Sequence, residues 1–487
     1  MSTQKSLLRV FSGRTSVLPI ALAALAFSTP VMADNMKAAN HPWDEHVLTK
    51  DMPFSDYAGA DSDALQSLID FGETLFSGKF TPKDGVGRPD ATQAIVPTKR
   101  RRPTNLAFQR LAGMDANSCA SCHNSPVAGG AGDFTANVFV SEGFESADFD
   151  TIDPQFSNER GTNALFGAGL VELLAREMTA DLQAQRRSVL KEARASGADA
   201  KQELSTKGIT FGSLTAHPDG TLDVAGLEGV DDDLIIRPFG QKGVFASLRQ
   251  FTVNALNQHH GIQASERFGA RWTGTDDFDG DDVSDEISTG QVSALVAWQA
   301  TLAPPQRRED LPKEWAEAAS TGEKLFSDIG CASCHRPTLP LESSVFLDPS
   351  PVENAGTLRT SEVDAPITID LAETPWGKSL ERDAEGRLLV PLFGDLKRHR
   401  IADAARPTLG NELLGQRFVA RDVFITAELW GIGSTSPYGH RGDLTTLHEV
   451  IDAHGGAATD SRKAYSDLDE AQRQSIIAFL RSLEIPQ

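Results

Sequence analysis

The chain has 487 residues and a formal net charge of −22, long enough for two or three domains with cores of their own. So acidic a surface repels polyanions and argues against nucleic acid as a partner, while its field can still steer a small basic redox protein. Apolar residues make up 40% and charged residues 23% of the chain, which excludes a disordered or fibrous protein.

In chain order the first feature reads as an address. Lys5, Arg9 and Arg14 precede an apolar run over residues 17–27, and Val31-Met32-Ala33 then offers a cleavage site before Asp34. A signal peptide over residues 1–33 is predicted, because Pro19 interrupts the run and it falls short of the ~20 apolar residues of a membrane span. Losing its three cations takes the charge from −22 to −25. Export to the periplasm is the expectation, with no later segment able to span.

A helix is predicted over residues 64–76, closed by Phe71-Gly72-Glu73-Thr74-Leu75-Phe76-Ser77. A near copy, Thr321-Gly322-Glu323-Lys324-Leu325-Phe326-Ser327, closes a second predicted helix over residues 314–326. Cys119-Ala120-Ser121-Cys122-His123 follows the first and Cys331-Ala332-Ser333-Cys334-His335 the second, and these repeats hold all four cysteines. In the second copy the phenylalanine stands five residues before the first cysteine; in the first copy it stands 43 before, so residues 78–118 carry an insertion.

The two attachment sequences begin 212 residues apart, so the N-terminal half needs further helices, one predicted over residues 164–195. Residues 80–90 and 337–370 are rich in Gly and Pro and read as surface loops. Ala303-Pro304-Pro305 is the candidate hinge, and residues 466–483 place Leu468, Ile476, Ile477, Leu480 and Leu483 on one face of a terminal packing helix. Strand signals are few. The expected fold is mainly α: two cytochrome c-like haem domains, residues 34–305 and 306–487, with long loops and a helical insertion in the N-terminal half.

A cysteine pair two residues apart and followed by histidine suits haem for a geometric reason. The thiols add to the two vinyl groups on one side of the porphyrin, and the next residue lies under the iron as proximal imidazole. A structural zinc would normally use paired knuckles, and a disulfide alone gives no reason for His123 or His335. Two covalently bound haem c groups are therefore expected, on Cys119, Cys122, Cys331 and Cys334, with His123 and His335 on iron.

The tandem attachment sites, Pro437-Tyr438-Gly439-His440-Arg441-Gly442 and Thr446-Leu447-His448-Glu449-Val450-Ile451 resemble the bacterial di-haem cytochrome c peroxidase superfamily, and its di-haem oxidoreductase branch more closely. Leu429-Trp430-Gly431-Ile432-Gly433, Ala453-His454-Gly455-Gly456, Gly169-Leu170-Val171-Glu172 and Arg237-Pro238-Phe239-Gly240 add to the resemblance. The superfamily usually has His-Asp-Gly where this chain has His440-Arg441-Gly442.

Thr446 and Glu449 form a capping box opening a short helix in which Leu447, Val450, Ile451 and His454 share a face. The resemblance implies that this helix delivers the distal ligand of the C-terminal haem, here His454. It places His440 near that haem or its propionates, and His399 also recurs in it. One of His259 and His260 caps the N-terminal iron, with His260 the choice, or is a hydrogen-bonded histidine at a helix end. Lys99 to Arg102 is a solvated basic loop or a contact for a propionate or donor.

Glu172 stands in an apolar stretch beside small Ala168, Gly169 and Ala175. It is either a proton shuttle at the N-terminal haem, assisted by Arg160, or an exposed partner of Arg176 at i+4. Asp277, Asp279 and Asp281 alternate as calcium ligands do, or form an acidic solvated turn. Three functions remain open: a peroxidase taking electrons from a small redox protein at the C-terminal haem and reducing peroxide at the N-terminal one, an electron-transfer cytochrome with both irons six-coordinate, and an oxidase of a protein or organic substrate.

Overall fold

The computed structural model describes residues 45–49, 52–87, 116–137, 159–352, 356–412 and 416–486. The expected leader and the Lys99 to Arg102 run lie outside the described residues. From His41 to Gln487 the chain clusters as one unit.

Two helix pairs organise it, and both follow from the repeated sequence. The Ser62–Ser77 helix starts where Asp61 accepts a hydrogen bond from the Ala64 amide at 3.0 Å, and it buries Leu68, Gly72, Leu75 and Phe76. It crosses the Thr289–Thr301 helix so closely that a Cβ on Gly72 would stand 2.0 Å from the Ala294 carbonyl oxygen. The Lys313–Asp328 helix crosses the Glu470–Arg481 helix in the same way: a Cβ on Gly322 would stand 1.9 Å from the Ser475 carbonyl oxygen. Glycine in the repeated Gly-Glu step is thus a contact requirement, since only a missing side chain lets the two backbones touch. In the first pair the partner helix is buried on every side, with Val292, Leu295, Val296 and Ala300 each at 1% exposure or less.

The predicted helix over residues 164–195 is observed as Ala168–Ser196, stopped by Gly197 in the left-handed region at φ +68°. The predicted terminal helix over residues 466–483 is observed as Glu470–Arg481, with a separate helix, Thr459–Asp467, before it. Asp469 divides the two, because its side chain caps the Gln472 amide and restarts the ladder in a new direction.

The strand content exceeds the expectation. Ala200–Thr206 and Ile209–Ala216 form an antiparallel hairpin around Lys207 and Gly208, both at positive φ as tight hairpin turns require. Ile209, Phe211, Leu214 and Ala216 point inward and are buried. Residues 337–370 are not the surface loop their Gly and Pro content suggested: Leu339–Leu341 pairs with Leu388–Val390, and Val345–Asp348 with Ile367–Asp370. Apolar alternation through Leu339, Leu341, Phe346, Ile367 and Ile369 outweighs the turn residues. Residues 80–87 likewise turn inward, with Phe80, Asp84 and Val86 buried. No helix among the described residues is long and apolar enough to cross a membrane.

Candidate functional site

Each cysteine pair sits on one turn of 3-10 helix, Cys119–Ser121 and Cys331–Ser333, and the histidine amide closes it onto the first cysteine's carbonyl, at 3.0 Å for His123 and 3.1 Å for His335. The phenylalanine of the repeated helix flanks each imidazole. Ring centroids are 6.0 Å apart for Phe76 and His123 and 6.3 Å apart for Phe326 and His335, with 52° between ring planes in both. One sequence repeat has produced one local geometry twice.

The hydrogen bonds decide what the imidazoles can do. His123 Nδ1 lies 2.9 Å from the Asn163 carbonyl oxygen and His335 Nδ1 lies 3.2 Å from that of Phe393. A carbonyl can only accept, so the ring proton is on Nδ1 and the lone pair on Nε2, the tautomer that ligates metal. Burial pushes both imidazoles down to about 4, which keeps them neutral at physiological pH. None of the four cysteines is in a disulfide. Burial raises the Cys119 thiol to about 12 and the Cys331 thiol to about 11.

A second histidine lies within electrostatic reach of each of these. After burial, repulsion between the protonated forms of His454 and His335 is the largest influence lowering His335. His454 caps the C-terminus of the Leu447–Ala453 helix, whose start is the capping box of Thr446 and Glu449, and its Nδ1 meets the Val450 carbonyl at 2.6 Å. Its Nε2 therefore carries the lone pair too. At the other site, His259 adds to the lowering of His123. His259 and His260 end a π-helical turn, Leu256–His260, before Gly261 at φ +75°.

His260 lies beside the attachment turn: its Nδ1 is 2.7 Å from the Ala116 carbonyl, and its Nε2 is 3.7 Å from Cys119 Sγ. His259 precedes it on the same π-helical turn.

Glu172 is not the exposed partner of Arg176 that one reading gave. It is fully buried: Oε1 accepts from Arg176 Nε at 3.0 Å and Nη2 at 2.5 Å, and Oε2 accepts from the Leu248 amide at 2.7 Å. The i+4 pairing is present, but inside the protein, where it ties the Ala168–Ser196 helix to the start of Leu248–Ala255. Burial raises the Glu172 pKa, against the lowering charge and bond of Arg176. Arg160 is committed to Glu412 at 2.8 Å. Small residues around Glu172 admit a main chain: a Cβ on Gly169 would lie 2.2 Å from the Ala300 carbonyl oxygen.

His440, by contrast, is 8% exposed, stacks on Phe424 at 4.4 Å, and has a buried Nε2 with no hydrogen-bond partner among the described residues. Arg160, Lys242 and Arg441 add positive charge around it. A buried polar nitrogen without a partner costs about 1–3 kcal/mol unless another group completes it. Two thiol pairs, two Nδ1-anchored imidazoles with opposing histidines, and this orphaned nitrogen fit a c-type haem at each attachment turn.

In the acidic turn, Asp277, Asp279 and Asp281 bring carboxylate oxygens within 4.8 Å of one another. Glu286 joins them, its pKa raised well above normal by burial first and then by the charges of Asp279, Asp281 and Asp277.

Residues 409–483 match the family model described as "Di-haem oxidoreductase, putative peroxidase". The matched segment contains His440, His454 and the Glu470–Arg481 helix, and none of the cysteines. A search of the curated proteins gives no match. Among solved structures, hydrazine synthase of Kuenenia stuttgartiensis, under xenon pressure, aligns at 13% identity and TM-score 0.36 over 96% of this chain and 100% of its own. A MauG-like protein associated with microbial copper homeostasis aligns at 15% identity and TM-score 0.26 over 65% of this chain and 89% of its own. TM-scores below 0.5 do not establish a shared overall fold.

Proposed function

We propose, for a chain whose C-terminal segment is that of a di-haem oxidoreductase, an exported periplasmic enzyme with two cytochrome c-like haem domains, residues 34–305 and 306–487, and peroxidase-like activity. Cys119 and Cys122 would hold one haem with His123 as proximal ligand; Cys331 and Cys334 would hold the other with His335. Such a group supplies a one-electron couple and, where a coordination position is exchangeable, a seat for peroxide. Electrons from a small redox protein enter at the C-terminal site, and peroxide is reduced at the N-terminal one.

The observation that carries this division is the unequal support of the two distal histidines. His454 stands at the end of a helix capped at its start and held by its own carbonyl bond to Val450, a fixed arrangement suited to electron transfer without rearrangement. The N-terminal candidates His259 and His260 stand on a π-helical turn, irregular backbone of a kind frequent at functional sites. Histidines near the N-terminal attachment turn also support a second reading, an electron carrier with both irons six-coordinate. EPR of the oxidised protein, then of the one-electron-reduced protein with and without peroxide, separates them. A high-spin signal that appears on half-reduction and is lost with peroxide supports the peroxidase; two low-spin signals in every state support the carrier.

The acidic turn is proposed as a calcium site of Asp277, Asp279, Asp281 and Glu286. Three carboxylates within 4.8 Å of one another repel, with Glu286 within reach of their charge, and a divalent cation offsets that repulsion. Calcium should raise the melting temperature of chelator-treated protein, and Asp279→Asn should abolish the rise. Equal melting curves with and without calcium would remove the site.

A further inference from the structure

We propose that Asp395 and His399 bind a proton at the edge of the C-terminal attachment site in step with the electron that enters there. This rests on the haem reading of Cys331, Cys334 and His335, and gives that site a proton partner of its own. Neither residue is a proposed iron ligand.

The geometry is local and closed. His399 stands on the Arg398–Arg400 strand, paired with Val423–Ile425 so that Phe424 lies opposite it. Its Nε2 is 2.8 Å from Asp395 Oδ2, and Asp395 Oδ1 accepts from the Lys397 amide at 3.0 Å, which fixes the carboxylate. Asp395 is 2% exposed, whereas the His399 side chain keeps 17% of its surface. One end of the pair is thus locked inside while the other reaches solvent, the source of protons. The His399 ring, the Asp395 carboxylate and the Cys334 sulfur lie within 4.8 Å of one another, so the pair stands against a residue that would carry the haem.

The charges around the pair leave it the responsive group. Arg398 and Arg400, its strand neighbours, are neutralised by Asp231 and Asp422. Phe424 brings no charge from the partner strand. Asp395 acts on two further groups: His335 of the attachment turn, and Glu428, which burial, with Asp395 adding, pushes up to about 7. For His399 burial alone would lower the pKa, but the bond and charge of Asp395, with a share from Cys334, lift it to about 9. Cys334 loses its share once it is a thioether, which brings the titration down toward neutral pH.

A negative charge added nearby raises the proton affinity of a partly desolvated imidazole. The step balances simply: a one-electron donor supplies one electron to the site, solvent supplies one proton, and an N–H bond forms at His399. No other bond changes.

The test is the midpoint potential of the C-terminal haem against pH, measured by spectroelectrochemistry on the intact holoprotein, for wild type, Asp395→Asn, His399→Asn and Glu428→Gln. Between about pH 6 and about pH 10, the wild-type potential should fall as pH rises, with a slope approaching one proton per electron. His399→Asn should flatten that slope with haem content unchanged. Asp395→Asn should move the falling region to lower pH, and serves alone if His399→Asn fails to fold. A flat wild-type profile, a His399→Asn or Asp395→Asn profile identical to wild type, or a slope lost only in Glu428→Gln overturns the proposal. Absence of haem on Cys331 and Cys334, counted in the same samples as pyridine haemochrome, defeats the underlying haem reading instead.

Discussion

At each attachment turn a main-chain carbonyl takes one imidazole nitrogen, and the other is left with its lone pair. Substitution at the opposing histidines should show how much follows from that choice. His454→Met replaces an imidazole with a weaker donor, so the C-terminal haem's potential should rise and its low-spin EPR signal change; an unchanged signal would make His454 a packing residue. Glu172→Gln leaves a buried Arg176 without its counter-ion and should cost about 3 kcal/mol of stability, read as a lower denaturant midpoint, with peroxide turnover per folded molecule unaltered. His399 adds a pH dependence. Its folded pKa lies above the unfolded value, so the pair's stabilisation is complete below about pH 6.5 and fades as pH rises through the folded value, about 9 with Cys334 a free thiol and lower once it is a thioether. The stability gap between wild type and His399→Asn should therefore close on going from acid to alkaline pH.

At the scale of elements, the paired helices make the strictest demand. Gly72→Ala and Gly322→Ala each drive a methyl into a carbonyl oxygen at about half the normal contact distance, and overpacking of that kind costs about 1–3 kcal/mol or more. Thermal melts should show both losses, with haem retained if the helices part without unfolding the turns. The helices ahead of the cysteines were legible because apolar spacing and a verbatim repeat agree. The Thr289–Thr301 helix was not identified as their counterpart, since it is apolar all round and carries no stripe. Hairpin Ala200–Ala216 was missed although its inward residues alternate, because the long helix before it dominated the reading. The two cysteine turns and the histidines that follow them were readable from spacing alone. The contact of Asp395 and His399 with Cys334 was not, since only the folded chain brings the three together.

For the whole molecule, charge and duplication point the same way. With a net charge of −22, association with a basic redox partner should slow as salt rises, because screening shortens the field to about 10 Å at 0.1 M. Stopped-flow rates across an ionic-strength series measure it; salt-independent rates would exclude steering. Two helix pairs crossing at glycine, two cysteine turns and two matched phenylalanine and histidine contacts lead to one central claim, that the chain carries two covalent haems in unlike surroundings. The most direct measurement is the intact mass of the mature protein, taken beside its pyridine haemochrome after acid–acetone extraction. The account requires a mass increased by two haems and a haemochrome of two per chain that survives extraction. One haem, none, or haem that the solvent removes would contradict it.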